Sequence, residues 1–425
     1  MSSVRKLTNC LLTNAYDVMT KVPLLVSLSL MVCALTILFY VHPKDGADYR
    51  WYWTLAKCVV DCQNPYNQLV RDYYVTLHPI SFKLPVMPYP PSTGILLTPF
   101  ALLPFTLGTY VYKVLSLFVL ITGLYRLSTT VAKHVPFNVF VPVVALLLFW
   151  APTRWASSNL QLVTLMAGCY CWMIDALLRK NHILAIAITA VCLCLKFTDA
   201  LPMLLLLALV KNYRGILAAI TITIGLNVLG FIRFGGLTTM RDYVNELRSF
   251  SSHSDPVDAV SPHIPKAGLR VDWTYFLNGL YDGFPYAQVV SMLVLIGLTI
   301  WILKFSTLEK LVPTLLLVTT IGLSWTYHHV YAYLYLVPVL AVMLVSKSVS
   351  KSVFLNCALI LVILYGFLTA TNIMVRIADS MFGHWGGVGV KMYPSVLFLF
   401  CLITAIVAIL HDRLSNQGLH ELDAQ

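Results

Sequence analysis

The chain has 425 residues, of which 59% are hydrophobic and only 11% charged, with a mean hydropathy of +0.79. Soluble domains carry about a quarter charged residues, so the composition excludes a soluble globular protein and points to an all-α polytopic membrane protein. The net charge of +11 reads as Lys and Arg at cytoplasmic helix ends beside anionic lipid, so the bilayer is the expected partner and nucleic acid is not.

The first apolar run, Val22 to Tyr40, is long enough to span and has no small-residue processing site after it, so it reads as a retained transmembrane helix. Twelve spans are predicted, near residues 22–41, 105–128, 136–150, 159–178, 182–198, 200–211, 213–232, 285–304, 310–326, 329–346, 353–373 and 393–411. Residues 92–103, between Pro91 and Pro104, are apolar but too short to cross and read as a half-helix entering from the outer side. With both termini cytoplasmic, every short inner loop carries basic residues, among them Arg126, Lys133, Arg179, Lys180 and Lys211. The whole of 1–425 then forms one integral membrane domain with two long outer loops, 42–104 and 233–284. No inner loop is long enough to hold a site, so function belongs on the outer face.

The ten cysteines lie mostly as singletons in apolar runs and read as small buried hydrophobes. Cys58 and Cys62 share the first outer loop; a bond between them needs an oxidising compartment, and their four-residue helical spacing suits it poorly. No zinc spacing occurs, and neither metal nor cofactor is expected.

The first outer loop holds the densest chemistry. Asp45 and Asp48 precede Tyr49, Trp51, Tyr52 and Trp53, a pattern suited to an interfacial helix with Arg50, Lys57 and Asp61 toward water. Asp48 is either the N-cap of that helix or a catalytic base. Lys196 ends an otherwise apolar span with Asp199 three residues on; it is either an ion-paired or snorkelling lysine, or a cation for a phosphate at the membrane surface. His328 and His329 stand among aromatics of an interfacial belt, which does not itself require two histidines. Arg154, in a loop over Ala151–Ser158, suits a phosphate clamp or a headgroup contact, while Asn159 and Gln161 suit hydrogen bonds to a sugar or a neighbouring helix. Arg241, Asp242, Glu246 and Arg248 read as a solvated helix face.

Taken in order, Asp48 with Tyr52 and Trp53, Asn64-Pro65-Tyr66, Tyr89-Pro90-Pro91 with Pro99 and Leu103-Pro104, the stretch SNLQLVTLMAG through LLRKNHILA to Lys196, and Ser324-Trp325 before His328-His329 resemble glycosyltransferase family 87 of the GT-C superfamily. Ser-Asn-Leu-Gln stands where the family has a Gly-Gln-x-Asn-like start, and Pro202 lies six residues from Lys196 rather than beside it. The resemblance implies a GT-C-type bundle and an inverting, α-1,2-mannosyltransferase-like enzyme of a bacterial inner or plasma membrane. Such an enzyme would use a polyprenyl-phosphate sugar donor and a glycolipid or glycan acceptor. It would take Asp48 as general base, with Asp45 as runner-up. The donor phosphate would lie near Lys196, Arg154, His328 and His329, and the substrates against Asp45, Tyr52, Trp53, Tyr89, Asn159 and Gln161. A transporter or flippase would instead place polar groups near mid-membrane. An outer-leaflet glycan polymerase or ligase and a non-catalytic assembly partner are the remaining alternatives.

Overall fold

A computed structural model describes residues 23–40, 48–77, 87–133, 135–251, 286–324, 330–345, 360–362, 397 and 399–410. The described residues are almost entirely helical, and no strand occurs among them. Two helices, Phe105–Ala132 and Tyr213–Phe234, are long and apolar enough to cross a bilayer, and Phe137–Phe149 with Ala151–Ser158 makes a third if that pair, bent by 64°, is one broken span. Shorter apolar helices include Leu162–Leu178, His182–Lys196, Leu311–Ser324 and Leu399–Leu410. Leu217, Ile224, Leu229 and Ile232 of the second long helix stand exposed, a surface that needs lipid rather than water. The protein is a membrane protein.

In chain order the helices are α1 (Leu24–Tyr40), α2 (Tyr49–Asp61), α3 (Gln68–Leu77), α4 (Pro91–Ala101), α5 (Phe105–Ala132), α6 (Phe137–Phe149), α7 (Ala151–Ser158), α8 (Leu162–Leu178), α9 (His182–Lys196), α10 (Leu201–Leu209), α11 (Tyr213–Phe234), α12 (Leu237–Ser251), α13 (Ala287–Phe305), α14 (Leu311–Ser324) and α15 (Val337–Val345). A 3-10 turn over Val330–Leu336 leads into α15. The scaffold centres on α5 and α8, which pack along their lengths. Their approach depends on paired glycines: a Cβ on Gly123 would lie 2.6 Å from the Gly168 carbonyl oxygen, and one on Gly168 would lie 2.6 Å from the Leu120 nitrogen. Without hydrophobic drive between helices in lipid, such close backbone contact supplies the packing.

At the far end of this pair, Asp175 is fully buried and paired with Arg126 at 3.0 Å and Arg179 at 2.7 Å. Arg126 also lies 4.5 Å from the centre of the Trp172 ring. A buried carboxylate is tolerable only with such compensation, so this cluster ties α5 to α8.

The described residues of the long first loop fold onto the bundle as α2, α3 and α4. Pro91 starts α4 where its missing N–H is not needed, and α4 packs along α2 so closely that a Cβ on Gly94 would meet the Leu55 and Val59 side chains at 2.9 Å. Helix α12 clamps the same loop. Asn64 donates to Asp242 at 2.7 Å, and Glu246 pairs with the buried Arg71 at 3.1 Å and accepts the Met87 N–H at 3.0 Å. Two members of the expected solvated face, Asp242 and Glu246, are therefore fastened to the first loop: the Asn64 amide, the buried Arg71 guanidinium and the Met87 N–H donate to them in place of water. Ala151–Ser158, expected as a loop, is helix α7, begun by Pro152.

Candidate active site

Helix α2 is amphipathic, and its aromatic face is buried on protein. Tyr49 packs against Phe105 and Tyr112 with ring centres 5.6 and 5.4 Å apart, and Trp53 meets Phe105 edge-on at 5.6 Å. Trp53 also donates to the Leu103 carbonyl at 3.4 Å. The helix is thereby fixed, and with it Asp48, the residue immediately before its first turn. Asp48 occupies the N-cap position, but its side chain makes no capping hydrogen bond. Its backbone N–H donates to the Asn159 carbonyl at 3.1 Å, which joins the start of α2 to the turn between α7 and α8. In that turn Leu160 adopts a left-handed φ of 52°, a strained conformation for a branched side chain.

Lys196 reaches the same region from the C-terminus of α9. That terminus exposes carbonyls with no helical partner, and α4 satisfies them. The Ser92 hydroxyl donates to the Cys194 carbonyl at 2.8 Å and the Thr93 hydroxyl to that of Leu195 at 2.8 Å. Lys196 is paired with the buried Asp199 at 2.9 Å, and Asp199 also accepts from Tyr335 at 3.5 Å. The lysine therefore has a structural partner and still sends its field to Asp48.

Burial pushes the Asp48 carboxyl up from 3.8 to about 6, against the opposing pull of Lys196 first and Arg50 second. A carboxyl at that value is still ionised about ten to one at neutral pH and is well matched to accept a proton there. Arg50 is half-buried rather than turned to water, and its Nε and Nη1 are shielded from solvent. Tyr52 and Tyr89 surround the acid: their rings meet edge-on at 4.9 Å, Tyr89 donates to the Tyr52 hydroxyl at 3.3 Å, and Tyr52 donates to Gln161 at 3.5 Å. Burial, and in second or third place the Asp48 charge, push both phenols up. They stay protonated and can act only as neutral hydrogen-bonding groups.

Asp48, Tyr52, Tyr89, Gln161 and Lys196 are thus gathered at one end of the bundle, with Asn159 contributing its main chain. Trp53 serves the packing of α2. Arg154 stands on α7 with a buried Nε that has no partner among the described residues, and it is not among the charges acting on Asp48. Asp45, His328 and His329 lie outside the described residues. Cys58 and Cys62 are free thiols. No group of three or more His, Cys, Asp or Glu side chains suited to a metal occurs among the described residues.

Two neighbours of this cluster, Tyr112 and Lys113, are not among the candidates drawn from the sequence. Tyr112 sits inside an apolar span yet packs on Tyr52 at 6.3 Å between ring centres. Lys113, buried in α5, lines a narrow cleft with Ser157, Gln161 and Thr164. The lysine alone was visible as an intramembrane charge, eight residues into its span.

No individually curated protein matches the chain. The sequence model of glycosyltransferase family 87 matches residues 88–324, a stretch that contains Tyr89, Arg154, Asn159, Gln161 and Lys196 and begins after Asp48. Because the match covers more than half of the chain, the protein belongs to glycosyltransferase family 87 and is a transferase of glycosyl groups.

Proposed function

We propose that the protein is an inverting glycosyltransferase that moves a sugar, mannose in the family resemblance, from a polyprenyl-phosphate donor to a hydroxyl of a glycolipid or glycan. One observation supports this reading: a half-buried carboxyl, raised to about 6 by burial, lies within the field of the Lys196 ammonium. The family match starts downstream of Asp48, so the acid's role rests on these surroundings and on the first-loop motif.

In the proposed step the acceptor hydroxyl attacks the anomeric carbon from the face opposite the phosphate. The new C–O bond forms as the bond to the phosphate oxygen breaks, and the hydroxyl proton passes to the Asp48 carboxylate. The departing polyprenyl phosphate gains negative charge, which Lys196 and Arg154 stabilise, together with His328 and His329 on sequence grounds. A single displacement needs one catalytic carboxylate, whereas a glycosidase needs two. Tyr52, Tyr89 and Gln161 supply neutral hydrogen bonds to the sugars. Asn159 and Asp45 complete the substrate-contacting set in this proposal, while Trp53, expected to contact substrate, holds α2 in place beside them.

The site is assigned to the non-cytoplasmic side of a bacterial inner membrane, within a twelve-span bundle that has both termini inside. The charge distribution supports that orientation. Asp175, with its two arginines, lies about 20 Å along α8 from Gln161 at 1.5 Å per residue, so the basic cluster and the Asp48 site occupy opposite ends of the same helix. In this scheme α2 lies in the interface plane.

The test is mass spectrometry of membrane glycolipids and glycans from cells lacking the protein, restored with wild type or with Asp48→Asn. One hexosylated species should vanish with the protein, return with wild type and stay absent with the variant. Unchanged profiles in all three strains would remove the reading.

A further inference from the structure

We propose a second carbohydrate-binding subsite, away from the Asp48 site, that holds the distal part of the acceptor glycan. It is an open cavity of about 510 Å³ between the C-terminus of α2 and helix α3, lined by Asp61, Gln63, Leu69, Val70, Tyr73 and Tyr74. That volume lies within the range of small-ligand sites. The lining chemistry selects the ligand class. Tyr73 is 58% exposed, and its ring meets that of Tyr74 edge-on at 5.5 Å, which presents a rigid aromatic face to the apolar C–H side of a pyranose. Asp61 and Gln63, both exposed, supply carboxylate and carboxamide groups for vicinal hydroxyls.

The carboxylate is already held in place. It accepts from the Tyr74 hydroxyl at 2.6 Å and pairs with Lys57 at 3.4 Å, so its orientation is set before a ligand arrives and its charge is partly neutralised. Among the described residues Lys57 is the cation paired with the lining carboxylate, and the lining residues themselves carry no positive charge, so a neutral sugar fits better than a phosphate. A lipid tail would meet Asp61 and Gln63.

The position fits an acceptor. Asp48 precedes the first residue of α2 and Asp61 is its last, so the helix separates the two sites by about 20 Å, a span for several units of an extended glycan. The subsite rests on the proposed glycosyl transfer for its place in the reaction, but saccharide binding there is measurable without it.

The full-length protein in lipid nanodiscs is examined by saturation-transfer NMR with α-mannobiose, maltotriose and a galactobiose as probes. Wild type and Asp48→Asn should both bind at least one of the probes. Tyr73→Ala and Gln63→Leu, exposed positions whose replacement leaves the Asp61–Tyr74 bond intact, should weaken that binding by about tenfold or more. Absence of binding to wild type, or equal binding by both subsite variants, overturns the subsite. Normal glycolipid transfer by Asp48→Asn would instead refute the proposed transfer and leave the saccharide result standing.

Discussion

Replacing Asp48 by Asn should remove transfer and make the folded protein more stable at neutral pH. The carboxyl is raised from 3.8 to about 6, because burial disfavours its charge more than Lys196 and Arg50 favour it. A shift of about 2 units corresponds to about 3 kcal/mol against the ionised native state, an upper value because water reaches part of this half-buried group. The sign follows from the raised value: the penalty is fully present above about pH 6, shrinks as pH falls through 6, and is gone below the unfolded value near 4. Asn keeps the shape and carries no charge. It also leaves Lys196 paired, since Asp199 remains 2.9 Å away. Thermal unfolding in detergent, followed by tryptophan fluorescence over about pH 4 to 8, should show a variant that melts higher at the basic end and converges with wild type at the acidic end. A variant that melts lower at the basic end, or a difference independent of pH, would refute the electrostatic reasoning.

Lys196→Met should abolish transfer and also weaken folding by about 3–5 kcal/mol, because Asp199 loses its cation while buried; Lys196→Arg should recover most of the stability, measured by the same melts. Asp175→Asn removes the buried charge and weakens its bonds to the partly exposed Arg126 and Arg179, so it should lower stability by about 1–2 kcal/mol, while transfer per folded molecule stays at the wild-type rate. Gly168→Ala places a methyl 2.6 Å from the Leu120 nitrogen and should destabilise the α5–α8 pair by about 1–3 kcal/mol, read as a lower melting temperature. Tyr52→Phe removes only two long hydrogen bonds, so transfer should slow by about tenfold or less with folding unchanged.

The residues legible in the sequence are those whose charge contradicts their surroundings. Lys196 stands out at the end of an apolar run, and Asp48 stands out beside a run of aromatics, because ionised groups near lipid need a reason to be there. The membrane class and helical fold followed from composition for the same cause. Residues whose role depends on a distant partner were not legible. Ser92 and Thr93 read as the start of a short half-helix, yet their hydroxyls donate to the end carbonyls of α9 and so position Lys196. Asp242 and Glu246 have the spacing of a solvated helix face, and only the folded loop shows that Asn64 and Arg71 need them. Arg50 reads as a water-facing residue of an amphipathic helix; the bundle covers it and directs its charge to Asp48. Local periodicity reports which face is polar, and tertiary packing decides whether that face meets water or another helix.

The most direct test of the central claim is the pH dependence of sugar transfer by purified protein in proteoliposomes, with synthetic polyprenyl-phosphate mannose as donor and a lipid extract as acceptor. Wild-type transfer should fall with unit slope as pH drops below about 6, following protonation of one carboxylate, and Asp48→Asn should give no transfer at any pH. Transfer by the variant at a near-normal rate, or a wild-type profile flat through that range, would contradict Asp48 as the base.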